Sequence, residues 1–143
     1  MTSMSDVAFT PAVKAWQARF GSRAGYARLE ADGGWRDRVT LELRAFLAAR
    51  GCYLASAAGQ PYIQRRNGPP GFLGVLDERT LAFADYRGNR QYISTGNLSE
   101  NARAFLFLID YKNHQRIKIW GRAEVKDADA ELEQALAQTR QSS

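Results

Sequence analysis

The chain changes its hydrophobic rhythm near residue 52, from spacings of three and four to spacings of two. In Pro11–Phe20, Ala12, Val13, Trp16 and Phe20 recur at helical intervals and predict one apolar stripe, with Pro11 suited to a first turn and Gly21 to a stop. Ser22–Ala31 predicts a second short helix closed by Asp32-Gly33-Gly34, and Thr40 caps a third that runs through Leu41, Ala45, Phe46 and Ala49 to Gly51. Strands follow. Cys52–Ala57 is a short apolar run, Ala58-Gly59-Gln60-Pro61 a turn, and Tyr62–Arg66 a second strand, so the two predict a hairpin.

Asn67-Gly-Pro-Pro-Gly71 must be irregular, because consecutive prolines donate nothing to a ladder. Phe72–Leu76 and Thr80–Asp85, reversed at Asp77-Glu78-Arg79, predict a second hairpin. The polar loop Arg87-Gly88-Asn89-Arg90 leads to a short helix within Gln91–Asn101. Ala104–Ile109 is nearly all apolar and predicts a strand buried on both faces, whereas Arg116–Val125 alternates, setting Ile117, Ile119 and Gly121 against Lys118, Trp120 and Arg122. Asp127–Arg140 closes as an amphipathic helix.

Six strands at short intervals with helices before and after predict a mainly β, α+β fold. The expected architecture is a small antiparallel barrel of six strands with flanking helices. Its expected parts are a helical segment over 1–51 packing on the barrel, the barrel over 52–126 and a final helix over 127–143, in a single domain.

Composition narrows the function. With 45% hydrophobic and 24% charged residues the 143-residue chain is ordinary globular protein, and no apolar run reaches the roughly 20 residues that span a bilayer. The polar start lacks the parts of a signal peptide, so a cytoplasmic location is expected. One cysteine, Cys52, excludes an internal disulfide, and one histidine, His114, leaves too few soft ligands for zinc. Cys52, in an apolar run, reads as inert core rather than nucleophile, and Trp16, Phe20 and Trp35 read as packing residues. No nucleophile elbow, Walker loop or dinucleotide fingerprint is present.

The net charge of +5 matters through its placement, between Arg65 and Lys118 among glycines, aromatics and strands. In Ala84-Asp-Tyr-Arg-Gly-Asn-Arg-Gln91, Gly88 permits close backbone approach, Arg90 can fork onto phosphate oxygens, Asn89 and Gln91 can donate amide hydrogens, and a helix start follows. A solvated loop is the plain alternative. Gln64-Arg65-Arg66 sends its two arginines to opposite faces of a strand, to meet an anion or to protect an edge. Arg116, Lys118 and Trp120 share one strand face, a cation pair beside a flat aromatic, which suits a planar anionic ring or a subunit contact.

From about Cys52 to Val125 these segments resemble the pyridoxamine 5′-phosphate oxidase-like split-barrel flavoproteins. The likeness is carried by Pro61-Tyr-Ile-Gln-Arg-Arg66, Thr80-Leu-Ala-Phe-Ala-Asp-Tyr-Arg-Gly-Asn-Arg-Gln91 and Arg116-Ile-Lys-Ile-Trp-Gly-Arg122. Pro-Pro-Gly-Phe-Leu73 and Phe-Thr-Pro-Ala-Val-Lys14 are similar to an uncharacterised bacterial subgroup of the family.

The resemblance implies a six-stranded antiparallel split β-barrel and FMN held between two subunits of a homodimer. It implies that Ala84 and Asp85 touch FMN at the strand end and that Arg90 grips its phosphate. Gln91 stands where the oxidase has lysine, a lost charge that Arg65 or Arg66 replaces; Gln64 stands for an arginine and Arg116 for a glutamine. Nothing corresponds to the oxidase's later residues that bind pyridoxal phosphate.

The expected function is therefore an FMN-dependent oxidoreductase of an unassigned small molecule, with a nicotinamide nucleotide among the possible electron donors and no catalytic side chain assigned. The alternatives are a deazaflavin-dependent reductase on the same barrel, and a non-catalytic module for heme, flavin or single-stranded nucleic acid, with His114 the candidate heme ligand.

Overall fold

A computed structural model describes residues 3–48, 51–68, 71–84, 91–127, 130, 131, 133, 134 and 136. The chain divides into two compact units, Met1–Arg38 and Val39–Ser143.

In the first unit a short 3-10 helix, Met4–Val7, precedes α1 (Pro11–Phe20) and α2 (Arg23–Ala31). Thr10 caps α1 by accepting the Val13 N–H at 3.3 Å, and Gly21 ends it at φ 87°, a left-handed angle that costs glycine little. No apolar side chain among the described residues of this unit is fully buried. Polar and aromatic contacts hold it instead. Arg23 reaches Glu30 at 2.7 Å, Ser5 donates to the same carboxylate at 3.0 Å, and Lys14 pairs with Asp6 at 2.8 Å. Phe9 packs on Tyr26 and Trp35. Trp16 and Phe20, expected as packing residues, stand 57% and 72% exposed; they stack on each other with Arg19 over both rings, because this short unit offers no apolar layer to receive the stripe of α1.

The second unit carries the sheets. Its elements are α3 (Leu41–Ala48), β1 (Cys52–Ala57), β2 (Pro61–Arg66), β3 (Gly74–Asp77), β4 (Thr80–Ala82), α4 (Ile93–Glu100), β5 (Arg103–Asp110) and β6 (Gln115–Arg122). Residues 130, 131, 133, 134 and 136, within the final helix expected from sequence, are helical. The strands are all antiparallel, in one sheet of order β2-β1-β5-β6 and one hairpin, β3-β4. This is the split-barrel arrangement, with no ladder joining the two sheets among the described residues. Thr40 caps α3 as its sequence predicts, accepting the Leu43 N–H at 3.1 Å.

The core lies between α3, the segment before β3 and the inner face of the large sheet, and comprises Leu47, Cys52, Phe72, Leu73 and Leu108. Ile117 and Ile119 of β6 pack against it, as their alternation predicts. The expectation that Ala104–Ile109 is buried on both faces does not hold. Leu108 is fully buried, but Phe105 and Phe107 point to the other face and stay half-buried, because the described second layer covers only one side of the sheet.

Candidate functional site

Strand alternation divides the large sheet into an inner face, marked by buried Cys52, Leu54 and Ser56, and an outer face. The three-residue turn 58–60 fixes the first hairpin so that Tyr53 pairs with Arg65 and Ala55 with Ile63. The outer face then reads as two rows across four strands. Arg65, Tyr53, Phe107 and Lys118 form the upper row; Ile63, Ala55, Phe105 and Trp120 form the lower. Ile109 faces Arg116 above these rows and Arg103 faces Arg122 below.

Ala55 makes a dip in the lower row, flanked by larger side chains. Phe105 and Trp120 meet at 5.0 Å between ring centroids, and Phe105 stacks near Phe107 at 6.4 Å. Neighbouring strands lie about 4.8 Å apart, so Arg65 and Lys118 bracket a platform roughly 14 Å across. No carboxylate occupies an outer position on any of the four strands, whereas Arg65, Arg103, Arg116, Lys118 and Arg122 all do. The result is an aromatic, cationic surface with a dip at Ala55, suited to a planar anion.

The inner face treats its polar residues differently. Gln64 accepts a hydrogen bond from the buried Ser94 hydroxyl at 3.2 Å. Asn97 donates to Ser56 at 3.2 Å and Asn101 to the Ala57 carbonyl at 2.8 Å, so α4 rests on β1 and β2 through a polar ladder. These bonds hold the start of α4 near β2, and with it the end of the preceding loop at Gln91 and Tyr92. Tyr92 adopts φ 57° at the helix start. Arg66 lies opposite Cys52. Burial pushes the Cys52 thiol up to about 11, outweighing the opposing pull of the Arg66 charge, so Cys52 is a neutral core group.

The residues singled out in the sequence thus fall in three places. Arg65, Arg116, Lys118 and Trp120 share the outer face. Gln64 and Arg66 turn inward, and Ala84 and Gln91 lie between β4 and α4. Asp85, Asn89 and Arg90 lie outside the described residues. Ile63, Ala55, Phe105, Phe107 and Tyr53 were missed, although the turn at Gly59 carried the signal, since a turn over 58–60 sets Tyr53 beside Arg65.

Among the described residues no group of three His, Cys, Asp or Glu side chains is placed to hold a metal ion, and no helix is long and apolar enough to cross a membrane. His114, at φ 53° in the β5–β6 turn, is exposed.

Known proteins supply the remaining observation. Residues 39–143 match the family model described as pyridoxamine 5′-phosphate oxidase. A crystal structure of a tagged histidine-to-alanine variant of HupZ from Group A Streptococcus superposes with a TM-score of 0.54 at 18% identity, covering 68% of this chain and 78% of that one. At that identity the likeness is one of fold. No curated protein matches the sequence.

Proposed function

Because the chain belongs to the pyridoxamine 5′-phosphate oxidase family over residues 39–143, we propose that it binds FMN on the outer face of its large sheet and acts as an oxidoreductase on a small molecule. The observation that carries this reading is the pair of outer rows, with Ala55 set low between Ile63 and Phe105 and cations at both margins. The donor set fits the cofactor. FMN joins a planar ring to a phosphate dianion, and the platform offers flat aromatic contact beside guanidinium and ammonium groups.

In this reading Trp120 and Phe105 wall the ring, and Lys118 or Arg116 supplies positive charge beside it. Arg65 and Arg90 hold the phosphate, and Arg66, on the other side of the edge strand, adds to the local positive potential. Ala84, Asp85, Asn89 and Gln91 are assigned to the cofactor by the family resemblance, Ala84 lying two residues past β4 and Gln91 two residues before α4. Gln64 contributes indirectly, by fixing α4. When bound, the flavin supplies the electron transfer, and the protein's part is to bind, orient and exclude water.

The same face suits a homodimer. Ile63 is 58% exposed at one edge of the row that ends in Trp120, 37% exposed, and a second copy would cover this row while closing the site from solvent.

The test is a titration of apoprotein with FMN followed by flavin fluorescence, repeated with Trp120→Ala and Lys118→Ala. Saturable quenching, weakened about tenfold or more in each variant, is expected. Binding that is absent, or equal in all three proteins, contradicts the assignment.

A further inference from the structure

Arg103 and Arg122 stand directly opposite each other at the lower end of the β5–β6 pair, and both are exposed. Like charges so placed repel and weaken the ladder. No carboxylate at an outer position of the four strands relieves them. Asp110 is buried on the inner face, where the Lys112 and Asn113 backbone N–H groups and the Asn113 side chain engage its two oxygens. Glu124, past the end of β6, pairs with Lys126 at 3.9 Å.

The cations also lie in file. β6 turns Arg116, Lys118, Trp120 and Arg122 outward at two-residue steps, each about 6.8 Å. Beside them, about 4.8 Å away, β5 sets Ile109, Phe107, Phe105 and Arg103 in register. The Phe105 and Phe107 rings lie 6.4 Å apart between centroids with 26° between their planes, and Trp120 meets Phe105 at 5.0 Å. A line of positive charge thus runs alongside a line of half-buried aromatic rings.

We infer that this outer face binds single-stranded nucleic acid, with the sugar-phosphate backbone along Arg116, Lys118 and Arg122 of β6 and bases resting on Phe107, Phe105 and Trp120. The two-residue step along β6 is close to the spacing of successive phosphates in an extended strand, and every base offers a flat face to the rings. A phosphate beside Arg103 and Arg122 removes their repulsion. A duplex keeps its bases stacked on one another and leaves the rings unused, and an acidic peptide neutralises the cations but has no bases to stack. Binding by charge and stacking carries little sequence preference. The inference goes beyond the flavin reading and does not depend on it. Both ligands use the same rings, so a strand and a flavin exclude each other, as do a strand and a second copy laid on the lower row.

The experiment is fluorescence anisotropy of a labelled oligothymidylate of about 8 nucleotides, titrated with the full chain freed of flavin at rising salt. It is repeated with Phe107→Ala, Lys118→Gln and Arg122→Gln, their folding verified by far-ultraviolet circular dichroism. Phe107→Ala is expected to weaken binding roughly tenfold through lost stacking. Each cation variant is expected to reduce the slope of log affinity against log salt by about 0.7. Arg122→Gln, at an exposed position, carries the test should Phe107→Ala fail to fold. No binding at low salt overturns the inference. So does equally tight binding of a duplex or of polyglutamate, since charge alone then suffices.

FMN added to the complex separates this inference from the flavin reading. FMN that releases the strand puts both ligands on the outer face. FMN that binds without releasing it moves the strand elsewhere, which overturns the inference and leaves the flavin reading intact. If FMN does not bind and the strand still depends on Phe107 and Arg122, the flavin reading fails and the inference stands.

Discussion

Gln64 on the edge strand β2 accepts a hydrogen bond from Ser94 on α4, 30 residues later in the chain, with Ser94 buried and Gln64 half-buried. The bond connects the sheet to α4, which begins two residues after Gln91. Ser94→Ala would leave the Gln64 acceptor without this donor and should cost about 1–3 kcal/mol in urea unfolding. FMN affinity should fall with it, since Gln91 at the head of α4 loses its tie to β2. An unchanged unfolding midpoint would show that the polar ladder contributes nothing.

Cys52 gives a pH prediction with a definite sign. Its thiol is raised from 9.0 to about 11 by burial, so the folded state holds the proton more tightly than the unfolded chain does. Its contribution to stability is complete below pH 9 and is lost as pH rises toward 11, at about 1.4 kcal/mol per unit. A thiol reagent at pH 8 should therefore react at a rate set by unfolding, and Cys52→Ala should remove part of the alkaline loss of stability. Fast, stoichiometric labelling of the native protein would refute this.

Gly51 admits no side chain. A Cβ there would sit 2.5 Å from the Arg66 carbonyl oxygen and 2.6 Å from the Asn67 side-chain oxygen, and the first of these is backbone that cannot swing aside. Gly51→Ala should destabilise the second unit by more than about 2 kcal/mol by forcing β1 and β2 apart at the Cys52–Arg66 pair. Thermal melts of the variant decide it.

The first unit depends on ion pairs where the second has a core. Hydrogen bonding from Arg23 holds the Glu30 carboxyl below its ordinary value, and Lys14 does the same for Asp6. A depressed carboxylate contributes stability that is present above its unfolded value and lost as pH falls through the folded one. Below about pH 4, therefore, Met1–Arg38 should loosen before the sheet does. Tryptophan fluorescence reports it, since Trp35 packs on Phe9, and Glu30→Gln should weaken the dependence.

How much of this was legible in the sequence follows from where each signal is local. Thr10, Pro11 and Gly21 bound α1 because caps and stops act within one turn of the chain, and Thr40 marked α3 for the same reason. The alternation of Ile117 and Ile119 with Lys118 and Trp120 told the faces of β6, since a strand's period is written in consecutive residues. The platform was half legible. Arg65, Arg116, Lys118 and Trp120 stood out by their chemistry, but Ala55, Phe105 and Tyr53 acquire meaning only through pairing, and Phe105 and Phe107 look buried until it is known which side of the sheet the described second layer covers. That Ser94 lies beside Gln64 could not be read from the sequence, because the two are 30 residues apart.

The most direct measurement is the absorption spectrum of the purified protein, with any released cofactor identified by mass. The account predicts a yellow protein that releases FMN, or a colourless one that becomes yellow and dimeric when FMN is added. A protein that stays colourless and shows no flavin signal at saturating FMN would contradict it.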